Sequence, residues 1–146
     1  MFPGTLVLGL VLALLGIWLS DLDKPEIQVA TETRQAIEGV APSRLTVVDG
    51  DTVRLEDETI RLIGFDTPET YQADCESKRA RGEAATARLR DLLVAASEAW
   101  LRFRANSDRY QRRLAQLTLD GQNVADTMVD EGLARPYNGG SRRSWC

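Results

Sequence analysis

Residues that could carry out chemistry are concentrated between positions 51 and 69. Asp51 and Asp66 could hold a hard cation through their carboxylates, and Arg61 could hold a phosphate through its guanidinium group. Glu69 adds a further carboxylate, and a second arginine, Arg112, follows in a later basic segment. This combination of groups is the one that hydrolysis of a phosphodiester needs.

The sequence contains no histidine, which excludes several classes of reaction. Serine or cysteine nucleophiles activated by an imidazole are impossible, and so is a zinc ion ligated by histidine. Because only two cysteines are present, one chain cannot form a four-thiolate metal site. Any metal would be held mainly by oxygen, which favours calcium, magnesium or manganese.

Each candidate residue also has an ordinary structural interpretation. Asp51 could be a simple turn residue, and Asp66 could be a cap at the end of a strand. Glu69 could be a solvated loop carboxylate. Arg61 could be a charge at the rim of the fold whose aliphatic stem is buried, and Arg112 could belong to a solvated run of charges.

Short alternating segments between turn signals predict five strands, at about residues 45–48, 51–55, 59–65, 100–104 and 113–119. Helical spacing of Ala85, Leu89, Leu92 and Ala96 predicts a helix over about 76–97, and a second helix is predicted near 123–131. The order is β-β-β-α-β-β-α. It predicts an α+β, mainly β fold: a five-stranded OB-fold-like barrel with two helices, preceded by an N-terminal hydrophobic helix.

Arg61 and Asp66 are five positions apart, so in one straight strand they would point to opposite faces. They can share a site only if the chain bends near Gly64 or leaves the strand by Phe65. Gly64 permits such a bend, and Pro68 ends the strand because it cannot donate to a ladder. The sequence thus allows the two side chains to converge without requiring it.

The first part of the chain has a different composition. Residues 2–19 are uncharged and apolar, and as a helix they would span roughly 27 Å, slightly less than a hydrocarbon core. We expect a membrane anchor or signal segment at 1–20, a linker at 21–43 and a compact domain at 44–146. The anchor is favoured over a cleaved signal, since a basic start and a small-residue cleavage site are missing. A buried helix is the third alternative.

Cys75 and Cys146 make an even pair in a chain with an export-type N-terminus, which suggests one disulfide. This bond would hold the segment from Tyr137 to Trp145 near the loop that follows Asp66. Two free thiols, or a bridge between two chains, are the alternatives.

Several motifs, taken together, resemble the staphylococcal nuclease (thermonuclease) family. They are Val48-Asp49-Gly50-Asp51-Thr52-Val53, Arg61-Leu62, Asp66-Thr67-Pro68-Glu69-Thr70 and Asp108-Arg109-Tyr110-Gln111-Arg112. The resemblance extends over about residues 44 to 138. It implies a calcium ion held by the carboxylates of Asp51 and Asp66 and by the backbone carbonyl of Thr67.

The resemblance also implies roles for the remaining candidates. Arg61 and Arg112 would hold the scissile phosphate and stabilise charge on its oxygens, while Glu69 would act as general base or orient the water. Tyr110 and Tyr137 match positions that line the nucleotide site. Members of the family cut DNA and RNA with little sequence preference and leave 3′-phosphate ends.

One departure from the family concerns the backbone. Gln111 stands where members usually have glycine, and a positive φ there would cost on the order of 1 kcal/mol.

We therefore expect a calcium-dependent nuclease acting on DNA and/or RNA. It would be tethered to a membrane through residues 2–19 and face the periplasm or exterior, or be secreted after cleavage. The alternative is a non-catalytic OB-fold domain that binds nucleic acid, or a structural domain stabilised by calcium. The formal net charge of −4 would not by itself indicate nucleic acid, and no feature indicates a protein partner.

Overall fold

The structure is a computed structural model and describes residues 36–146. The predicted hydrophobic helix at 2–19 and most of the predicted linker lie outside these residues. Among the described residues, no helix is long and apolar enough to cross a membrane. The predicted α+β class with two α-helices is confirmed for this part of the chain.

Nine strands and two helices follow one another in residues 36–146. The strands are β1 (Ile37–Val40), β2 (Leu45–Asp49), β3 (Thr52–Leu55), β4 (Glu58–Leu62), β5 (Gly64–Asp66), β6 (Ala99–Ser107), β7 (Arg113–Leu119), β8 (Gln122–Asn123) and β9 (Arg135–Tyr137). The α-helices are α1 (Glu76–Ala95) and α2 (Val124–Asp130), and a short 3₁₀ turn covers Pro42–Arg44.

The main sheet has the strand order β1-β6-β7-β4-β3-β2, with β8 beside β7. Its neighbouring strands are antiparallel except for β4 and β7, which are parallel. Strands β5 and β9 form a separate antiparallel pair. Within residues 36–146 no pairing joins β1 to β2, so the backbone ladder is open between these two strands.

The five predicted strands correspond to β2, β3, β4 with β5, β6 and β7, so the predicted number is too low. Strand β1 pairs with β6 and lies before residue 44, where the compact domain was expected to begin. Strand β8 has only two residues, too few for an alternating pattern. Strand β9 contains Pro136, which counts against a strand in a sequence pattern.

Helix α1 packs one side onto the sheet. Ala85 and Leu89 are fully buried, as their spacing predicts. Leu92 is only partly buried and Leu93 takes its place in the core, so the buried face turns by one residue toward the end of the helix. Helix α2 is capped by Asn123, whose side-chain oxygen accepts a hydrogen bond from the backbone N–H of Ala125 at 2.9 Å. Its Met128 is fully buried in the same core.

The bend that the sequence allows at Gly64 is present. Strand β4 ends at Leu62 and β5 begins at Gly64, whose φ of +100° is a conformation that glycine adopts without steric cost. Beyond the bend the chain pairs with β9 instead of continuing beside β7. Asp66 therefore does not lie in the same straight strand as Arg61, and its side chain need not point to the opposite face.

Candidate active site

The centre of the site is a buried ion pair between Arg61 and Asp51. Arg61 Nη1 donates to Asp51 Oδ1 and Nη2 donates to Asp51 Oδ2, both at 2.8 Å. Asp51 lies in the turn between β2 and β3, and its neighbour Thr52 is directly opposite Arg61 in the ladder. Only 3% of Asp51 and 9% of Arg61 is exposed, so removal of Arg61 would leave the buried Asp51 carboxylate without its charge partner.

Further groups contact the Asp51 carboxylate. The backbone N–H of Thr67 donates to it at 3.3 Å and the Thr52 hydroxyl at 3.1 Å. Burial nevertheless raises the pKa of Asp51 to about 6 against the opposing effect of Arg61, and Asp49 and Asp66 raise it further. An additional cation beside this carboxylate would therefore be stabilising.

Asp66 lies at the end of β5 and contacts the same arginine. Its Oδ1 accepts a hydrogen bond from Arg61 Nη2 at 3.4 Å and forms an ion pair with Arg142 Nε at 3.1 Å. Its Oδ2 accepts from Trp145 Nε1 at 3.1 Å. Because of the bend at Gly64, Asp51 and Asp66 both contact the guanidinium group of Arg61, although they lie in different segments of the chain.

Residues 36–146 contain no group of three or more acidic, cysteine or histidine side chains placed to hold a metal ion. They do place the carboxylates of Asp51 and Asp66 beside the buried Thr67. Calcium takes six to eight oxygen ligands and accepts water among them. Both oxygens of Asp51 and Oδ1 of Asp66 already have two donors each, whereas Asp66 Oδ2 has one, Trp145 Nε1. The chemistry of the two carboxylates suits a hard cation such as calcium, and a bound cation would replace some of the present donors.

Two glycines allow the chain to pack closely beneath these carboxylates. A Cβ atom at Gly50 would lie 2.7 Å from Thr67 Oγ1, and one at Gly82 would lie 2.5 Å from the carbonyl oxygen of Pro68. Neither position tolerates a larger residue without a shift of the backbone. Helix α1 and the β2–β3 turn therefore fix the segment that carries Asp66 and Thr67.

Glu69 lies in the loop after Pro68, and 61% of its side chain is exposed. Its Oε1 forms an ion pair with Arg142 Nη1 at 3.3 Å. This exposure suits both the ordinary loop interpretation and a group that contacts water.

Arg112 is positioned by the loop between β6 and β7. Asp108 Oδ1 accepts hydrogen bonds from the backbone N–H groups of Tyr110 and Arg112, both at 2.9 Å. Asp108 Oδ2 accepts from Arg112 Nε at 2.7 Å. Burial alone would raise the pKa of Asp108, but the backbone N–H and side chain of Arg112 outweigh it and lower the pKa. Gln111 has a φ of +64°, which is the conformation that the glycine of other family members would adopt freely.

Two open clefts adjoin these side chains. A cleft of about 460 Å³, the carboxylate cleft, is lined by Asp51, Arg61, Thr67, Glu69 and Arg112, among others. A cleft of about 530 Å³, the tyrosine cleft, is lined by Tyr110 and Tyr137. Both clefts are also bordered by Arg61, Arg109, Tyr110, Arg112 and Arg142. The predicted catalytic, nucleotide-site and metal residues other than Asp66 therefore line one of two adjoining clefts, and Asp66 lines a third cleft of about 310 Å³ with Thr67, Glu69 and Arg142.

The disulfide predicted between Cys75 and Cys146 is present. It anchors a segment that we call the strap, residues 138–146, against the loop before α1. Arg142 and Trp145 of the strap contact Asp66, and neither residue was recognised in the sequence. The predicted disulfide was the sequence feature that could have indicated them, because a bond to Cys75 requires the residues next to Cys146 to lie near the loop that follows Asp66.

A protein-family model described as staphylococcal nuclease homologue matches residues 59–144. The chain belongs to the staphylococcal nuclease family. The resemblance that the motifs carry is thereby confirmed, and the match includes every candidate site residue from Arg61 to Tyr137.

Proteins similar to this chain are named as nucleases. Endonuclease YncB of Bacillus subtilis (strain 168) is 35% identical over 94 residues, which are 60% of this chain and 44% of that protein. The SPbeta prophage-derived endonuclease YokF of the same organism is 36% identical over 94 residues, 60% of this chain and 31% of that protein. The thermonuclease of Staphylococcus intermedius is 30% identical over 136 residues, 90% of this chain and 78% of that protein. The chain spans less than half the length of the two Bacillus relatives.

Proposed function

We propose that the protein is a calcium-dependent nuclease that hydrolyses phosphodiester bonds of DNA or RNA with little sequence specificity. The observation that carries the proposal is the convergence of Asp51, Arg61, Thr67, Glu69 and Arg112 on the carboxylate cleft. They come from a turn, a strand and two separate loops. Family membership and the names of the relatives support the same activity.

In this proposal Arg61 and Arg112 bind the two non-bridging oxygens of the phosphate. Guanidinium groups suit this role because their planar N–H donors match phosphate geometry and stay charged at all relevant pH values. Asp51 fixes Arg61 by two hydrogen bonds and Asp108 fixes Arg112 by one. Both donors are thus oriented before the substrate arrives, as stabilisation of developing negative charge requires.

Glu69 takes a proton from the attacking water as that water adds to phosphorus. The P–O5′ bond breaks, the 5′ oxygen leaves with the electron pair and takes a proton from solvent water, and the phosphate remains on the 3′ side. The exposure of Glu69 gives it access to solvent water, and its side chain lines the carboxylate cleft and contacts Arg142 at 3.3 Å.

Calcium would be held by the carboxylates of Asp51 and Asp66 and by the carbonyl of Thr67. When bound, such an ion neutralises negative charge on the phosphate and lowers the pKa of water.

We further infer an OB-fold-like barrel tethered to a membrane through residues 2–19, with the domain facing the periplasm or exterior. The strand order and the family membership support the barrel. The disulfide supports an oxidising compartment, since such bonds persist outside the cytosol. Membrane fractionation of cells that express the full chain tests the tether, and recovery of the protein in the soluble fraction would contradict it.

The test of activity uses the full chain with single-stranded and double-stranded DNA and RNA, in calcium, in magnesium and in chelator. The informative variant is Glu69→Gln, because an exposed glutamate can be replaced without disturbing the core. We expect calcium-dependent cleavage that falls by about 10²- to 10⁴-fold in this variant, the usual contribution of a general base. Glu98→Gln, an exposed glutamate outside both clefts, is the matched control and should cleave like the parent protein.

Absence of cleavage, together with a calcium-dependent rise in Tm, would reject the nuclease and leave a calcium-stabilised structural domain. Binding of nucleic acid without cleavage would leave a binding domain instead. Equal rates for Glu69→Gln and Glu98→Gln would reject the role of Glu69 while retaining the activity.

A further inference from the structure

The strap places Arg142 at the junction of the carboxylate cleft and the tyrosine cleft, and its side chain lines both. About 38% of this side chain is exposed, so one part contacts protein and another part faces the open clefts. None of the motifs that resemble the nuclease family includes this residue.

Arg142 is paired with two carboxylates of the site. Its Nε lies 3.1 Å from Asp66 Oδ1 and its Nη1 lies 3.3 Å from Glu69 Oε1. Its guanidinium carbon lies 5.5 Å from the centre of the Tyr137 ring. The two carboxylate contacts use two of the five N–H donors of a guanidinium group. The side chain can therefore donate to a ligand in the clefts while it keeps both protein partners.

Several contacts hold the strap in this position. The disulfide to Cys75 anchors its end, and Trp145 Nε1 donates to Asp66 Oδ2 at 3.1 Å. The guanidinium of Arg135 stacks over the Trp145 ring at 3.7 Å, and its Nη1 donates to the carbonyl of Ser144 at 3.0 Å. Arg142 is thus presented by an ordered segment, which lowers the entropic cost of using it to bind a ligand.

The charges around Arg142 indicate what that ligand is. The charged groups in direct contact are the carboxylates of Asp51, Asp66 and Glu69 and the guanidinium groups of Arg61 and Arg142. With a divalent cation among them, this group carries one net positive charge, which one phosphodiester would neutralise. Loss of Arg142 would lower the net charge of this group by one unit, from +1 to 0 with the cation and from −1 to −2 in chelator, so attraction for a phosphate would weaken in both conditions.

We propose that Arg142 is a further phosphate-binding residue, which contacts an internucleotide phosphate at the junction of the two clefts and is held there by the disulfide-anchored strap. The inference rests on the proposed nuclease function, because it assigns a nucleic-acid phosphate as the ligand. It adds a third arginine to Arg61 and Arg112, from a segment that joins the site through Cys75 and Cys146.

The experiment compares Arg142→Ala, Arg142→Lys and Arg143→Ala in the full chain. Arg143 is the matched control, because it carries the same charge one position further along and does not line either of the two clefts. Affinity is measured by fluorescence anisotropy with labelled single-stranded DNA and RNA oligonucleotides in chelator, over a series of salt concentrations. Steady-state cleavage with calcium supplies KM and kcat for the same variants.

We expect Arg142→Ala to weaken binding by about tenfold or more, the size of a lost charge-assisted hydrogen bond. The slope of log affinity against log salt should fall by about 0.7, as expected for one phosphate contact on a single strand. Arg142→Lys should retain the salt slope, and Arg143→Ala should resemble the parent protein. With calcium, KM should rise in Arg142→Ala while kcat changes less. Equal losses on DNA and RNA would show that the contact is made to phosphate and not to the sugar.

The strap is tested by Cys146→Ser. This variant should lose affinity to a similar extent as Arg142→Ala, and the double variant should bind no more weakly than Cys146→Ser alone, because two residues that act through one contact are not additive. Full affinity in Cys146→Ser would contradict the part assigned to the disulfide.

Two results would overturn the role of Arg142. Tighter binding or faster cleavage by Arg142→Ala would show that the arginine blocks the site, and equal affinity of Arg142→Ala and Arg143→Ala would show that it makes no phosphate contact. Neither result affects cleavage by the parent protein, which tests the proposed function separately. Failure of the parent protein to cleave, with Arg142-dependent binding retained, would reject the nuclease while keeping the phosphate contact.

Discussion

Asp108 determines where Arg112 points, and its replacement by asparagine tests whether that orientation matters. In Asp108→Asn the amide oxygen can still accept from the backbone N–H groups of Tyr110 and Arg112. The amide nitrogen would then face Arg112 Nε, so that a donor faces a donor where the 2.7 Å hydrogen bond now lies. The loop keeps its backbone hydrogen bonds, while the arginine loses the partner that fixes its side chain.

The size of the effect follows from the exposure of the two groups. The side chains of Arg112 and Asp108 are 24% and 16% exposed, so the lost hydrogen bond contributes about 1 kcal/mol to the free energy of unfolding, after allowance for solvent screening. Arg112 also regains rotational freedom that costs up to about 2 kcal/mol to remove again when it binds phosphate. We therefore expect kcat/KM to fall by about tenfold or more.

Asp120→Asn is the matched control for this experiment. The Asp120 carboxylate also accepts two backbone hydrogen bonds, from Ser97 at 3.0 Å and Glu98 at 2.8 Å, but it lies outside both clefts. The two variants share the same change in charge; Asp108→Asn should melt a few degrees lower because of its lost hydrogen bond, and only Asp108→Asn should lose activity. If cleavage assays at 0.15 M salt gave Asp108→Asn the kcat/KM of the control, the assigned orientation of Arg112 would be wrong.

Two further predictions concern stability. Gln111→Gly should raise the free energy of unfolding by about 1 kcal/mol and Tm by a few degrees, since glycine adopts the φ of +64° without strain. Gln111→Ala is the control, because alanine keeps the strain. If thermal denaturation showed an equal gain in Tm for Gln111→Ala, the explanation would be wrong. In chelator, the contribution of Asp51 to stability should be fully present below its ordinary pKa of 3.8 and lost as the pH rises through about 6, because the folded state holds this proton more tightly. The change is at most roughly 3 kcal/mol, and denaturant titrations between pH 4 and 8 that show no such loss relative to Asp51→Asn would contradict the raised pKa.

Local sequence patterns predict the parts of this fold that have local causes. Helix α1 follows from the spacing of Ala85 and Leu89, and α2 follows from the apolar spacing of Val124 and Met128, to which the structure adds the cap at Asn123. Strand β9 could not be predicted in the same way, because its three residues depend on pairing with β5. The bend at Gly64 has both a local and a non-local cause: glycine permits the conformation, and the pairing of β5 with β9 stabilises it.

The candidate site likewise has residues that the sequence predicts and contacts that it does not predict. The motif around Asp51 and the motif around Asp66 each contain residues with suitable chemistry, and their family resemblance predicts that they act together. The ion pairs of Arg142 could not be foreseen, because they depend on the course of the strap after β9. Sequence spacing carries no information about a contact between residues 66 and 142 unless a crosslink, here the bond between Cys75 and Cys146, restricts the path between them.

The parallel pairing of β4 with β7 has a consequence for synthesis of the chain. Ile60 is opposite Arg113 in this ladder, so the middle of the sheet cannot form until more than fifty further residues have been made. The strap is needed later still, because Trp145 contacts Asp66. Contacts between residues so distant in sequence form slowly. A nascent chain would thus remain without a complete site until translation has passed the strap, and the proposed phosphodiester cleavage would begin only after that point.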